Sequence, residues 1–162
     1  MMISISVADL TNPLHAEATL DLLNHYANNE MGGGQELTQF VKDNLVKEFE
    51  KRQTVHVILA FDGENPVGLA ILMEGFSTFS CMPLLNIHDI FVSSAYRGQG
   101  ISKLLLSKAE QIAKQLGCCK LTLEVLEGNK LAQAAYRACG FEGYELSPNL
   151  GKALFWQKKL TY

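Results

Sequence analysis

No apolar run in this 162-residue chain reaches membrane-spanning length. Residues 1–7, MMISISV, lack the basic region that opens a signal peptide. The expected compartment is therefore the cytoplasm, with no membrane partner. Positive charge is not in excess: 14 basic residues face 17 acidic ones, for a formal charge of −3. Nucleic-acid binders normally carry a basic surface, so no nucleic-acid partner is expected. The four cysteines, Cys81, Cys118, Cys119 and Cys139, form no C-x-x-C, and the four histidines form no H-x-x-x-H. A metal site is therefore not expected. A bridge between the neighbours Cys118 and Cys119 would be strained, so all four are read as reduced, mostly buried thiols. Repeats, linkers and low-complexity stretches are also missing. What is present is 48% hydrophobic and 19% charged residues. That composition fits one soluble domain, residues 1–162, with a sizeable core.

Periodicity gives a mixed α/β order. Ile3, Ile5 and Val7 alternate with Ser4 and Ser6, as in a half-buried strand. Asn12 and Pro13 start a helix whose apolar stripe is Leu14, Ala18, Leu22 and Tyr26. After a glycine loop at 31–34, a second helix is expected near Glu36–Lys51, with Leu37, Phe40, Val41, Leu45 and Phe49 inward. Residues 55–61 and 66–73 read as a hairpin. Met82 and Pro83 are expected to interrupt the chain before a strand over 86–92. A clean helical pattern then runs from Gly100 to Leu116 and stops at Gly117. A strand over 120–126, a helix over 129–139 and strands over 141–146 and 153–160 complete the reading.

The most informative stretch joins the 86–92 strand to the helix after Gly100. Its turn ends in Arg97-Gly98-Gln99-Gly100, followed by Ile101 and Ser102. A strand, a glycine turn and a helix N-terminus together suit a phosphate. The first helical N–H groups have no intrahelical acceptor, and the macrodipole adds partial positive charge. Glycines let the backbone wrap closely around an anion. A dinucleotide fingerprint would need a third glycine where Lys103 stands, and no P-loop pattern occurs.

What remains, Arg97-x-x-Gly100-x-Ser102, resembles the pyrophosphate loop [QR]-x-x-G-x-[GA] of the GNAT N-acetyltransferases, with Ser102 replacing Gly or Ala. Downstream, Asn129-x-x-Ala132-x-x-x-Tyr136-x-x-x-Gly140-Phe141 resembles the second block of the same core. Together the two blocks cover about residues 84–146. Met31-Gly-Gly-Gly34, residues 75–79 and the PLLNIHD run at 83–89 look like blocks of one bacterial subgroup. The Asp89-x-Phe91-Val92 run is similar to that of diamine acetyltransferases.

The resemblance implies a GNAT fold: a mixed central sheet of about seven strands, the fourth and fifth splayed, flanked by about four helices. It implies acetyl-CoA as co-substrate and a primary amine as acceptor, with a small molecule or polyamine favoured, by direct attack in a ternary complex. It is also compatible with a homodimer. The amides of Arg97, Gly98, Gln99, Gly100, Ile101 and Ser102 would face the pyrophosphate, and the backbone of Ile90, Phe91 and Val92 would meet the pantetheine arm. Asn129 and Ala132 would line the same ligand, and Tyr136 would protonate the leaving thiolate. Asn129 equally suits a plain helix cap.

For deprotonating the amine, His88 and Asp89 are the candidates. Histidine titrates near neutrality, which makes His88 a sensible base. Strand alternation puts Asp89 on one face with Ile87 and Phe91, and His88 on the other with Ile90. Glu124 is a further candidate. The acceptor pocket is expected to draw on Tyr26, Glu30, Phe76, Phe79 and Asn86, with His25 nearby. Rival readings are a non-catalytic CoA-binding module, a protein N-acetyltransferase and a purely structural domain.

Overall fold

The computed structural model describes residues 2–162. Serines at alternate positions leave the first strand, β1 (Ile3–Val7), one apolar face. Helix α1 (Pro13–Asn28) begins where Asn12 Oδ1 accepts from the Leu14 N–H. It buries Ala18, Thr19, Leu22 and Leu23. A 3₁₀ turn, Glu30–Gly32, follows. Helix α2 (Gln39–Glu50) starts three residues later than expected because the Thr38 hydroxyl caps it, accepting from the Val41 N–H. From that start Phe49 is buried and Leu45 packs inward. Phe40, a residue step of about 100° away from Val41, is exposed instead of inward.

The sheet is built from β1, β2 (Val55–Asp62), β3 (Asn65–Ser77), β4 (Met82–Val92) and β5 (Leu121–Leu123), in that spatial order. Neighbours are antiparallel except β4 and β5, which are parallel and joined through helix α3 (Ile101–Gln115). A parallel pair needs such a crossover, because a tight turn cannot reverse the chain twice. Helix α4 (Lys130–Ala138) follows β5. Pro83 does not interrupt the chain but lies inside β4, opposite Phe76. It is tolerated there because β5 joins β4 only from Leu85 onward, so the missing N–H falls before that ladder.

Strand alternation divides the core in two. Ile58 and Ala60 face the α3 layer, where Ile101, Leu105, Leu106, Ala109, Ile112 and Ala113 are buried. Val57, Leu59 and Phe61 face α1 and α2. Gly68 on β3 permits the close seat of α3: a Cβ there would lie 3.2 Å from the Ala60 side chain and 3.3 Å from those of Ile101 and Leu105. The N-terminus of α3 is thereby fixed against the middle of the sheet.

Among the described residues the sheet has five strands rather than about seven. The strand expected over 120–126 pairs only across 121–123. The segments 141–146 and 153–160 form no strands; an isolated antiparallel bridge joins Glu145 to Lys152, and the Ala153 N–H donates to the Tyr144 carbonyl at 3.3 Å. The physical reason is a short template. β5 has only three residues, so its outer edge offers the later segments a short ladder, and Leu154, Phe155 and Trp156 stand exposed. The cysteines also depart from expectation: Cys81 and Cys119 are exposed, and Cys118 and Cys139 are half-buried.

Candidate functional site

The strand β4 holds the site's most consequential irregularity. Its register against β3 runs Phe91 opposite Leu69, Ile90 opposite Ala70 and Asp89 opposite Ile71, and then Ile87 opposite Leu72. His88 is the extra residue of a β-bulge, a feature that re-aims side chains. The simple alternation expected for this strand therefore fails. Ile87 now packs in the α3 layer with Ile90 and Val92, while Phe91 packs in the α1 layer. Asp89 keeps Phe91's side and loses Ile87's. His88 is exposed.

Pairing of β4 with β5 ends at the same place. It covers Leu85 to Leu121, Asn86 to Thr122 and Ile87 to Leu123. From Asp89 to Val92, β4 is paired with β3 and not with β5, so the two strands part as expected. Backbone N–H and C=O groups that face a gap need other partners.

The glycine turn closes one end of that gap. The Ser93 N–H donates to the Val67 carbonyl at 2.9 Å, and the Tyr96 hydroxyl reaches Asp62 Oδ2 at 3.3 Å. These bonds tie the 3₁₀ turn Ser94–Tyr96 to the β2–β3 hairpin. Gly98 and Gly100 have φ of +75° and +80°, conformations that L side chains rarely adopt. Gly100 is the N-cap of α3 and has no side chain to satisfy the first-turn donors, and no acidic residue occupies that turn. Ile101 is buried in the core and Ser102 follows it on the helix, so the amides at the α3 terminus are fixed while facing outward. Gln99 Nε2 donates back to the Ala95 carbonyl. Arg97 Nε donates to the Val92 carbonyl at 3.2 Å, and its guanidinium lies 5.9 Å from the centre of the Phe91 ring. The Arg97 side chain thus braces the strand end, and the Val92 carbonyl is already engaged.

Helices α1 and α4 each bring a tyrosine into an aromatic contact. The Tyr26 ring lies 5.9 Å from the Phe91 ring, and the Tyr136 ring 6.0 Å from the Phe141 ring. Burial raises the Asp89 carboxyl above the usual carboxylate range, and neighbouring His88 partly opposes the rise. Burial, then the charge of Asp89, raises the Tyr26 hydroxyl. Burial, with Tyr26 adding, pushes Tyr136 up to about 12. Tyr26 is therefore an electrostatic neighbour of both Asp89 and Tyr136, linking a strand and two helices.

The remaining residues singled out from sequence are dispersed. Asn129 caps α4, with its Oδ1 accepting from the Ala132 N–H at 3.1 Å. Asn86 Nδ2 donates to Thr122 Oγ1 at 3.0 Å, bracing β4 to β5. Phe76 and Phe79 sit at the exposed far end of the β3–β4 hairpin. Phe76 is opposite Pro83, six residues and roughly 20 Å along the strand from Asp89. Glu30, His25 and Glu124 are exposed. Sequence reasoning missed the bulge and the Tyr26–Phe91 contact. The sequence signal for the bulge was two adjacent polar residues, His88 and Asp89, within an apolar strand.

The Acetyltransferase (GNAT) family model matches residues 19–141. The chain belongs to that family, and the N-acetyltransferase class follows from it. A thialysine N-epsilon-acetyltransferase of Caenorhabditis elegans is 28% identical over 76% of this chain and 75% of that protein. The Bos taurus protein of the same name is 37% identical over 51% of this chain and 51% of its own length. Among solved structures, AAC(6')-Iy in complex with the bisubstrate analog CoA-S-monomethyl-acetylneamine superposes with a TM-score of 0.77 at 17% identity, covering 99% of this chain and 100% of that one. That likeness shows the fold. Among the described residues no helix is long and apolar enough to cross a membrane, and no cluster of metal-ligating side chains occurs.

Proposed function

We propose that this chain transfers an acetyl group from acetyl-CoA to a small primary amine at the gap between β4 and β5. The observation that carries the reading is the end of β4–β5 pairing at Ile87 and Leu123, one residue before the bulge. It opens the sheet beside Asp89 and beside the uncapped N-terminus of α3. The uncapped turn fits a pyrophosphate: it combines free donors, no acidic neighbour and glycines whose missing Cβ atoms face open space. Acetyl-CoA, bound there, supplies the thioester. Groups on Ile90 and Phe91 that face the gap are available to its pantetheine arm.

A primary amine of ordinary pKa is about 3.4 units from half-neutral at pH 7, a barrier of about 4.6 kcal/mol. A buried carboxylate with a raised pKa is a better proton acceptor than an exposed one, and burial also disfavours the ammonium. Asp89 therefore both attracts the amine and favours the neutral pair once water is excluded. His88, exposed at the bulge next to it, is placed to pass the proton to solvent. Tyr136 remains protonated at neutral pH and can donate a hydrogen bond to a departing thiolate. Complete transfer from a group near 12 to a thiolate whose acid has pKa about 8.5 is uphill by roughly three orders of magnitude. Tyr136 is thus a hydrogen-bond donor in the transition state, and the final proton comes from the amine.

The named relatives suggest thialysine-like ω-amines as the first acceptors to try. Thiol release from acetyl-CoA should be measured over thialysine, lysine, diamines, aminoglycosides and a lysine peptide. Release accelerated by one small-amine class supports the reading. Release by none, with acetyl-CoA still bound, favours the non-catalytic module.

A further inference from the structure

Strand pairing lines up the α1 face of the sheet in rows. Leu59, Leu69 and Phe91 stand opposite one another in the first row, and Val57, Ile71 and Asp89 in the second. The bulge at His88 shifts the register, so the third row is Val55, Met73, Asn86 and Thr122. Asn86 therefore shares the face of Asp89, although an odd number of residues separates them along the strand. The face also opens in this direction. Val57 and Ile71 are buried, whereas all four residues of the third row are half-buried. On β3 the two rows are Ile71 and Met73, two residues and about 7 Å apart. In the third row two polar groups hold each other: Asn86 Nδ2 donates to Thr122 Oγ1 at 3.0 Å. That bond fixes the amide and leaves Asn86 Oδ1 without a protein donor. No polar side-chain atom among the described residues is buried without a partner, so this oxygen is open to solvent. An open amide oxygen in a row otherwise lined by Val55 and Met73 is an acceptor for an ammonium or amine N–H.

We propose that Asn86, held by Thr122, is the second contact of the acceptor amine and sets its length, an inference that rests on the reading of Asp89 as the residue beside the reacting nitrogen. Aspartate and asparagine side chains are equally long and here rise from one face. Two ligand nitrogens resting on Asp89 and Asn86 are then about as far apart as the rows, about 7 Å. An extended alkyl chain advances about 1.25 Å per bond, so six bonds between nitrogens span about 7.5 Å. The preferred acceptor is a two-headed amine with a five-methylene stem, the spacing of the two lysine nitrogens. A three-methylene diamine is too short to reach both contacts, and an eight-methylene one must fold to do so. The stem has the apolar Ile71 and Met73 beside it on β3. Thr122 touches no substrate in this arrangement. It is a positioning residue that acts through the Asn86 amide.

Thiol release from acetyl-CoA should be measured on the full chain with α,ω-diamines of three to eight methylenes. The control is n-hexylamine, in which a methyl group replaces the second amine of the five-methylene diamine. The expected wild-type profile has its lowest KM at five methylenes, with kcat/KM there about tenfold above n-hexylamine, the worth of a hydrogen bond to a charged group. Asn86→Leu is expected to raise KM for the five-methylene diamine by about tenfold, to change kcat by less than about twofold, and to flatten the length series. Thr122→Val should weaken the same preference a few-fold, and Thr122→Ser, which keeps the oxygen, should restore it. Asn86→Asp offers a carboxylate to the second ammonium and should increase the preference for the diamine over n-hexylamine, a gain that misfolding cannot imitate. Amines acetylated with no length optimum overturn the inference and leave the transfer reaction standing. So does an optimum that Asn86→Leu or Thr122→Val leaves in place, or an Asn86→Asp variant with no gain. Release by none of the amines overturns the transfer reaction, and this inference with it.

Discussion

Replacing Gly100 by Ala and by Asp separates two properties of the α3 terminus. At φ +80° any residue other than glycine adopts a left-handed conformation costing about 1–2 kcal/mol. An added Cβ meets no protein atom within 4 Å, so strain is the whole cost of Ala to the apo fold. For a domain of this size that corresponds to a Tm lower by roughly 2–8 °C. Asp adds a charge where a pyrophosphate is expected. Two like charges about 4 Å apart repel by about 1 kcal/mol in water and about 4 kcal/mol near a protein surface. With more than one phosphate charge nearby, the loss in acetyl-CoA affinity should exceed tenfold, at about 1.4 kcal/mol per tenfold. The assay is calorimetric titration of acetyl-CoA into wild type, Gly100→Ala and Gly100→Asp at low and high salt, with thermal melts of each apo protein. Gly100→Asp should bind far more weakly than Gly100→Ala, and the gap between them should narrow with salt because the charge component is screened. An aspartate variant binding within twofold of the alanine variant at low salt would refute the placement of the pyrophosphate at this turn.

Other expectations follow from the same geometry. Tyr136→Phe removes one hydroxyl and keeps the ring against Phe141, so kcat should fall by about 10²–10⁴ while the acetyl-CoA dissociation constant changes little. Since Tyr136 lies near 12, the wild-type rate should show no alkaline limb from it below about pH 10. Asp89→Asn should abolish most turnover yet stabilise the fold at pH 7 in thermal melts. A carboxyl raised by burial contributes stability fully below its unfolded value near 3.8, and loses it as pH rises through its folded value. The stability gain of Asp89→Asn should therefore shrink as the pH is lowered toward 4, and a gain independent of pH would contradict a half-buried carboxylate with a raised pKa. His88→Gln and His88→Ala distinguish a shuttle from a base. If Asp89 takes the proton, both variants should retain most activity at saturating buffer, and loss of the pH limb in both would instead make His88 the base.

Much of this molecule could be read from residue order. The Asn12–Pro13 start of α1, the α3 stripe from Ile101 to Ala113 and the glycine turn are local features. Caps, 3.6-residue periodicity and Cβ-free positions act within a few residues. The phosphate-suited turn needed only a strand, Gly98, Gly100 and a helix to follow, and the Asn129–Phe141 spacing supplied the rest of the resemblance. The tertiary structure decided which side chains meet. A single extra residue at His88 turned Asp89 away from Ile87 and toward Tyr26, because strand faces depend on register, and register is set by pairing with β3 rather than by β4 alone. The same dependence explains the missing strands. Residues 153–160 have strand composition, but a strand exists only where a neighbouring strand receives it, and among the described residues β5 pairs with β4 alone. Local chemistry fixed the helices and the turn, while non-local pairing fixed the site's facing groups and where the sheet ends.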